Sequence, residues 1–107
     1  MAVAFVQEFD VGSDRTTANY DALTERLEAK PSAKTPPGLI VHSAGFTPDG
    51  VFRVFGIWES EADLQRYLGE MLMPEIAAFV ESVGDPESAP PPDRQYTYEL
   101  HDLWRSV

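Results

Sequence analysis

The sequence predicts an α+β domain with the element order βαββαβ, and three observations predict it. Runs rich in β-forming residues recur at Val3 to Phe9, Leu39 to Phe46, Val51 to Trp58 and Gln95 to Trp104. Apolar residues at helical spacing fill the two longer intervals, before Pro31 and after Ser60. The second and third runs are joined by Thr47-Pro48-Asp49-Gly50, a strong hairpin signal.

Strand 1, Val3 to Phe9, alternates: Val3, Phe5, Gln7 and Phe9 share one face, and Ala4, Val6 and Glu8 the other. The phenylalanines place the odd face under the helices. Asp10 to Thr17 is a turn with helix-start chemistry, in which Ser13, Asp14 or Thr16 could cap. Tyr20, Leu23 and Leu27 then predict a helix to about Ala29, and Pro31 ends it. The PSAKTPPG segment is a loop.

In the hairpin, Pro48 presets φ, Asp49 suits the next position and Gly50 supplies a left-handed residue. If the loop is Pro48-Asp49-Gly50, His42 lies opposite Gly56, Ala44 opposite Val54 and Ile40 opposite Trp58. His42, Gly56 and Trp58 then share a face, which a one-residue slip would break up. Ser60 caps the second helix, with Asp63 three residues on as a near capping box. Leu64, Tyr67, Leu68, Met71, Leu72, Ile76 and Phe79 form its apolar stripe, and Pro74 divides it. GDPESAPPPD is a linker. Strand 4 places Tyr96, Tyr98 and Leu100 on one face and Thr97, Glu99 and His101 on the other.

Right-handed crossovers and short connections turn this order into a ferredoxin-like layout: a four-stranded antiparallel sheet with both helices on one face. The opposite face still carries Ala4 and Val6. A sheet face this apolar is most simply covered by a second copy of the chain, so a homodimer is expected.

With 107 residues the chain is long enough for one core, and a single domain over 1–107 is expected. The net charge of −10 argues against nucleic acid or an anionic membrane as partner, because both need clustered Lys and Arg. The absence of cysteine excludes disulfides, thiolate catalysis and Cys-based zinc sites. MAVAFVQEF has neither a basic nor a long apolar segment of the signal-peptide type, and no apolar run approaches a membrane span. A cytoplasmic protein is the expectation.

His42 is the candidate catalytic residue, a general base or acid. It sits mid-strand among Ile40, Val41 and Ala44, and Gly56 opposite is expected to leave space above the sheet. The alternative role is a core histidine bonded to its surroundings. Trp58 could line a pocket with its indole N–H as donor, or anchor the core. Gln7 is an amide on an apolar face, where a ligand or a structural partner must satisfy it. Tyr20 and Tyr67 lie on inward helix stripes, and either phenol could reach the same cavity. His101 and Asp102 end strand 4, where an interface role is expected. Two histidines without paired spacing do not make a metal site, and none is expected. The chain has no Gly-rich phosphate loop and no G-x-S-x-G, and no cofactor is expected.

The run Trp58-Glu59-Ser60-Glu61-Ala62-Asp63-Leu64-Gln65-Arg66-Tyr67 resembles the W-x-S-x-x-x-(L/F)-x-x-(F/Y) text of the dimeric α/β-barrel superfamily. That superfamily includes the antibiotic-biosynthesis monooxygenases and small haem-degrading monooxygenases. GLIVHSAG, the DG turn, WES and the terminal ELHDL are similar to uncharacterised actinobacterial members. The resemblance implies a homodimer whose two sheets pack into a barrel, with a pocket in each subunit between sheet and helices. In the cofactor-free quinone-forming members an Asn four residues before the tryptophan contacts the substrate; here that position is Val54. An Arg is expected in the second helical region, and MLMPEIAAFVESV contains none. In the haem-degrading branch a histidine late in the second helix ligates iron, and Met73 to Val83 contains none.

Three functions follow. The first is a cofactor-independent enzyme on a small apolar or aromatic, polyketide-like molecule. It would be monooxygenase-like or a cyclase/isomerase, with His42 as base and Trp58, Tyr67, Tyr20 and Gln7 binding the substrate. The alternative is a non-catalytic small-molecule-binding or stress-related homodimer whose pocket is filled by Trp58, Tyr20, Tyr67 and Met71. A haem-binding protein ranks last for want of the helical histidine.

Overall fold

The structure is a computed structural model that describes residues 1–10, 17–29, 36–85 and 89–104. Its strands are β1 (Val3–Asp10), β2 (Leu39–Phe46), β3 (Val51–Trp58) and β4 (Arg94–Glu99). They form one sheet in the order β2-β3-β1-β4, with every neighbouring pair antiparallel. Helix α1 spans Ala18–Glu28, α2 Glu61–Tyr67 and α3 Met73–Val83, with a π-helical turn at Leu68–Leu72 between the last two. This is the expected α+β, ferredoxin-like architecture. The caps suggested at Ser13, Asp14 and Thr16, and the stop at Pro31, lie outside the described residues.

The hairpin forms as its turn residues dictate. Thr47 N–H donates to the Val51 carbonyl (2.8 Å), Gly50 N–H donates to the Thr47 carbonyl (3.0 Å), and Gly50 takes φ +83°. His42 faces Gly56 and Ala44 faces Val54. One pairing needs correction: Leu39, not Ile40, lies opposite Trp58, because the ladder shifts between Leu39 and Val41. A bulge admits one extra residue without turning the rest of the strand over, so the His42 face is preserved.

Strand β4 is shorter than the Gln95–Trp104 expected. Its partner β1 begins at Val3, opposite Glu99, and the last backbone bond runs from Leu100 N–H to the Ala2 carbonyl (3.0 Å). Beyond it the chain has no strand left to pair with.

Ser60 caps α2: its Oγ accepts from Asp63 N–H (3.1 Å) and donates to Asp63 Oδ2 (2.9 Å). Pro74 does divide the helical region, through a change of hydrogen-bond register. Met73 N–H donates to the Leu68 carbonyl five residues back, and Pro74 opens α3. Proline has no N–H and its ring crowds the preceding turn, and the wider π turn absorbs both effects.

The core joins Val3, Phe5 and Trp58 of the sheet to Leu64 of α2, with Leu39, Tyr67 and Leu68 packed against it. Leu64 is fully buried and is the pivot of the α2–sheet contact. An ion pair between Arg26 Nε and Glu75 Oε1 (2.7 Å) ties α1 to α3.

The opposite sheet face carries Ala4, Val6 and Glu8 of β1, flanked by Ile57, Phe55 and Arg53 on one side and Tyr98, Tyr96 and Arg94 on the other. Glu8 bridges two arginines: Oε2 accepts from Arg53 Nη2 (2.6 Å) and Oε1 from Arg94 Nε (2.7 Å). These guanidinium groups cover the carboxylate and hold its pKa below the ordinary value. Val41, Tyr96 and Tyr98 remain exposed on this face.

Candidate functional site

The helix-facing side of the sheet is laid out in rows by the strand register. Leu39, Trp58 and Val3 form the first row; His42, Gly56 and Phe5 the second; Ala44, Val54 and Gln7 the third; Phe46, Phe52 and Phe9 the fourth. Aromatic groups stand at both ends. Trp58 packs on Tyr67 of α2 with centroids 4.9 Å apart. Phe52 packs on Phe46 and on Tyr20 of α1, each at 5.1 Å. Between these ends the floor is small: His42, Gly56, Ala44 and Val54. His42 and Ala44 are exposed and Val54 is half-buried, although they lie on the helix side. The floor is therefore an open shelf toward the β2 edge.

The space expected above Gly56 is taken by Trp58. The indole folds back so that a Cβ on Gly56 would stand 3.2 Å from Nε1. This is a correction with a useful consequence, since Gly56 is also the cross-strand neighbour of His42. His42 and Trp58 thus flank, on one face of the sheet, a residue without a side chain. Among the described residues neither has a hydrogen-bond partner. His42 is held below its ordinary pKa by desolvation, so its neutral form, the one able to accept a proton, is favoured.

Gln7 sits on the same side, one row along, and its Nε2 donates to Gln95 Oε1 at 3.0 Å. Its amide has the structural partner that its position demands. Tyr67 stands over Trp58 and Tyr20 over Phe52, so the two phenols belong to opposite ends of the shelf. Burial is the main cause that raises the pKa of each, and Tyr20 adds to the effect on Tyr67. His101 lies beyond the end of β4, exposed, in a separate groove with Met1, Glu99 and Leu100. The Phe46–Phe52–Phe9 end was not anticipated as part of a site. The period-two pattern that aligned His42 with Gly56 also aligns these rings, and it is the signal that could have found them. Among the described residues no group of His, Asp and Glu is arranged to hold a metal ion.

No protein-family profile matches the sequence, and no curated protein matches it. Solved structures do match. SnoaB, a cofactor-independent oxygenase from Streptomyces nogalater, superposes with a TM-score of 0.61 at 16% identity over 95% of both chains. A protein from Caulobacter crescentus, provisionally named an antibiotic biosynthesis monooxygenase, gives 0.64 at 19% identity over 94% of this chain and 91% of that one. NE2512 from Nitrosomonas europaea, of unknown function, gives 0.64 at 22% identity over 99% and 95%. The chain has the fold of the antibiotic-biosynthesis-monooxygenase-like proteins. At these identities the likeness is one of fold, and one scaffold hosts many chemistries. Among the described residues no helix is long and apolar enough to cross a membrane.

Proposed function

We propose that the chain is a cofactor-independent enzyme acting on a small apolar or aromatic, polyketide-like molecule, with His42 as general base. One observation supports the reading: His42 and Trp58 flank Gly56 on one open, aromatic-ended face of the sheet, with the indole Nε1 lying over the glycine. A planar substrate lies along the shelf. Neutral His42 takes a proton from an enol, phenol or activated C–H, and Trp58 Nε1–H donates to the oxygen on which charge develops. In a monooxygenase-like reaction the resulting carbanion is oxidised by dioxygen to a hydroperoxide, protonated by His42, which loses water to leave a new carbonyl, so the substrate itself is the reductant and the second oxygen leaves as water; in a cyclisation the carbanion attacks an internal carbonyl, and reprotonation at another carbon is isomerisation. The resemblance in fold to SnoaB favours the first course. The active unit is a cytoplasmic homodimer, formed through the sheet face that exposes Val41, Tyr96 and Tyr98.

A second reading is favoured by the packing of Trp58, which is 3% exposed and in contact with Tyr67. In it the same homodimer binds a ligand without transforming it.

The test is a panel of phenolic and polycyclic ketone compounds, read by thermal shift, product formation and oxygen uptake. Product with oxygen uptake marks an oxygenase, and product without it a cyclase or isomerase. Binding without product selects the second reading. In the enzyme, His42→Ala lowers kcat by about 10²- to 10⁴-fold, the usual weight of a general base, while the thermal shift is kept. A variant with full turnover removes His42 from the mechanism.

A further inference from the structure

The strand-forming run continues to Trp104, but β4 ends at Glu99, where its neighbour β1 starts. Leu100–Trp104 is therefore strand-forming sequence with no strand beside it among the described residues, and Trp104 is 88% exposed. Trp104 Nε1 donates to Asp102 Oδ2 at 2.9 Å, a bond between residues two apart, which share a side in an extended chain. At the opposite edge of the sheet, β2 has only β3 beside it and is exposed from Val41 to Gly45. Its sequence, LIVHSAGF, holds no Lys, Arg, Asp, Glu or Pro, the residues that usually keep an edge from pairing. Within one chain this edge and this segment cannot meet, because β3 and β1 stand between β2 and β4.

We propose that Leu100–Trp104 of one copy adds as a strand to the β2 edge of a second copy and closes the open side of the His42 shelf. Charge permits the contact. The chain carries −10, yet β2 has no formal charge and residues 100–107 balance Asp102 with Arg105, so two acidic copies meet here without strong repulsion. Period two then assigns the side chains. Glu99 pairs with Val3 on the helix side, so His101 and Leu103 continue that side and Asp102 and Trp104 the outer one. When the outer sides of two sheets face each other, a strand passing between them keeps the same residues turned away from the interface. The partner's His101 and Leu103 thus come to the side that carries His42, and the shelf is incomplete in a single copy. The second copy is that of the homodimer proposed above; the strand exchange goes beyond it.

The chain has no cysteine, so introduced thiols are unique. Chains carrying Leu103→Cys are refolded with size-tagged chains carrying Ala44→Cys, Ser43→Cys or Ala77→Cys and treated with a short bismaleimide. The mixed dimer is expected to link best through Ala44, on the His42 side, less through Ser43, on the outer side, and not through Ala77 on α3. Separately, hydrogen exchange of the β2 amides is compared in the wild type, Asp102→Pro and Leu103→Pro, with light scattering on each. Adjacent N–H groups point to opposite sides of a strand, so one of the two prolines must fall in the pairing and raise β2 exchange several-fold. Both lie beyond the β1–β4 ladder and leave the fold intact. A dimer with no Ala44–Leu103 link, or with β2 exchange unmoved by either proline, overturns the strand exchange and leaves the homodimer standing. A better link through Ser43 overturns the placement beside His42. A wild-type monomer overturns both readings.

Discussion

Desolvation lowers the pKa of His42 from its ordinary value and favours the neutral imidazole. A reaction that uses it as base keeps its rate down to that depressed value and loses it as the imidazole protonates. The acid limb of kcat/KM should fall below pH 6.5 and coincide with the His42 midpoint followed by NMR; a limb at higher pH would assign the base elsewhere. Glu8 carries the opposite charge logic. Its folded pKa lies below 4.5, lowered first by its hydrogen bond to Arg53 and then by that to Arg94. The stability from this bridge is therefore fully present above about pH 4.5 and is lost as pH falls through the depressed value. Glu8→Gln should lower the Tm at neutral pH and flatten the acid side of a Tm–pH curve. An unchanged Tm would mean that the bridge contributes nothing net. At Gly38 the limit is steric: φ is +89°, and a Cβ there would collide with the side chain of Asp63. Gly38→Ala should cost about 1–3 kcal/mol by denaturant titration, and an unaffected midpoint would show that α2 can shift away at little cost.

At the scale of the element, α2 is the first seven residues of a helical run that continues through the π turn into α3, and its open end is the N-terminal one. It depends on its Ser60 cap and on the burial of Leu64. Ser60→Ala should cost about 1 kcal/mol, measured by urea unfolding, with the loss concentrated in amide exchange near Glu61–Leu64. Uniform loss across the sheet would instead mean that α2 is no separate cooperative piece. The helix carries Tyr67 onto Trp58, so its placement sets the end wall of the shelf. The other end is set by α1, through Tyr20 on Phe52.

For the whole molecule, the two faces of the sheet have different tasks. The helix side holds the core and the shelf. The outer side carries the Arg53–Glu8–Arg94 bridge among Val6, Phe55, Val41, Tyr96 and Tyr98. A second copy laid on this face would remove the exposed apolar groups from water. Light scattering should give twice the chain mass, and Val41→Lys should shift the protein toward monomer. A wild-type monomer at micromolar concentration would exclude this interface.

Sequence alone was enough for the element order, the hairpin and the pairing of His42 with Gly56, because a period-two pattern and one Pro-Asp-Gly turn admit a single register. It also located the Ser60 cap and the break near Pro74, since both depend on local backbone chemistry. What lay beyond it depended on neighbours distant in the chain. The end of β4 is decided by where β1 starts, and the Leu39–Trp58 pairing by a bulge that no local signal demands. The Gln7 amide is satisfied by Gln95 across the sheet. Trp58 lies over Gly56, rather than standing free, because Tyr67 and Leu64 press on it from a helix. Side-chain direction on a strand is written in the sequence; the occupancy of the space above it is settled by what the tertiary fold packs there.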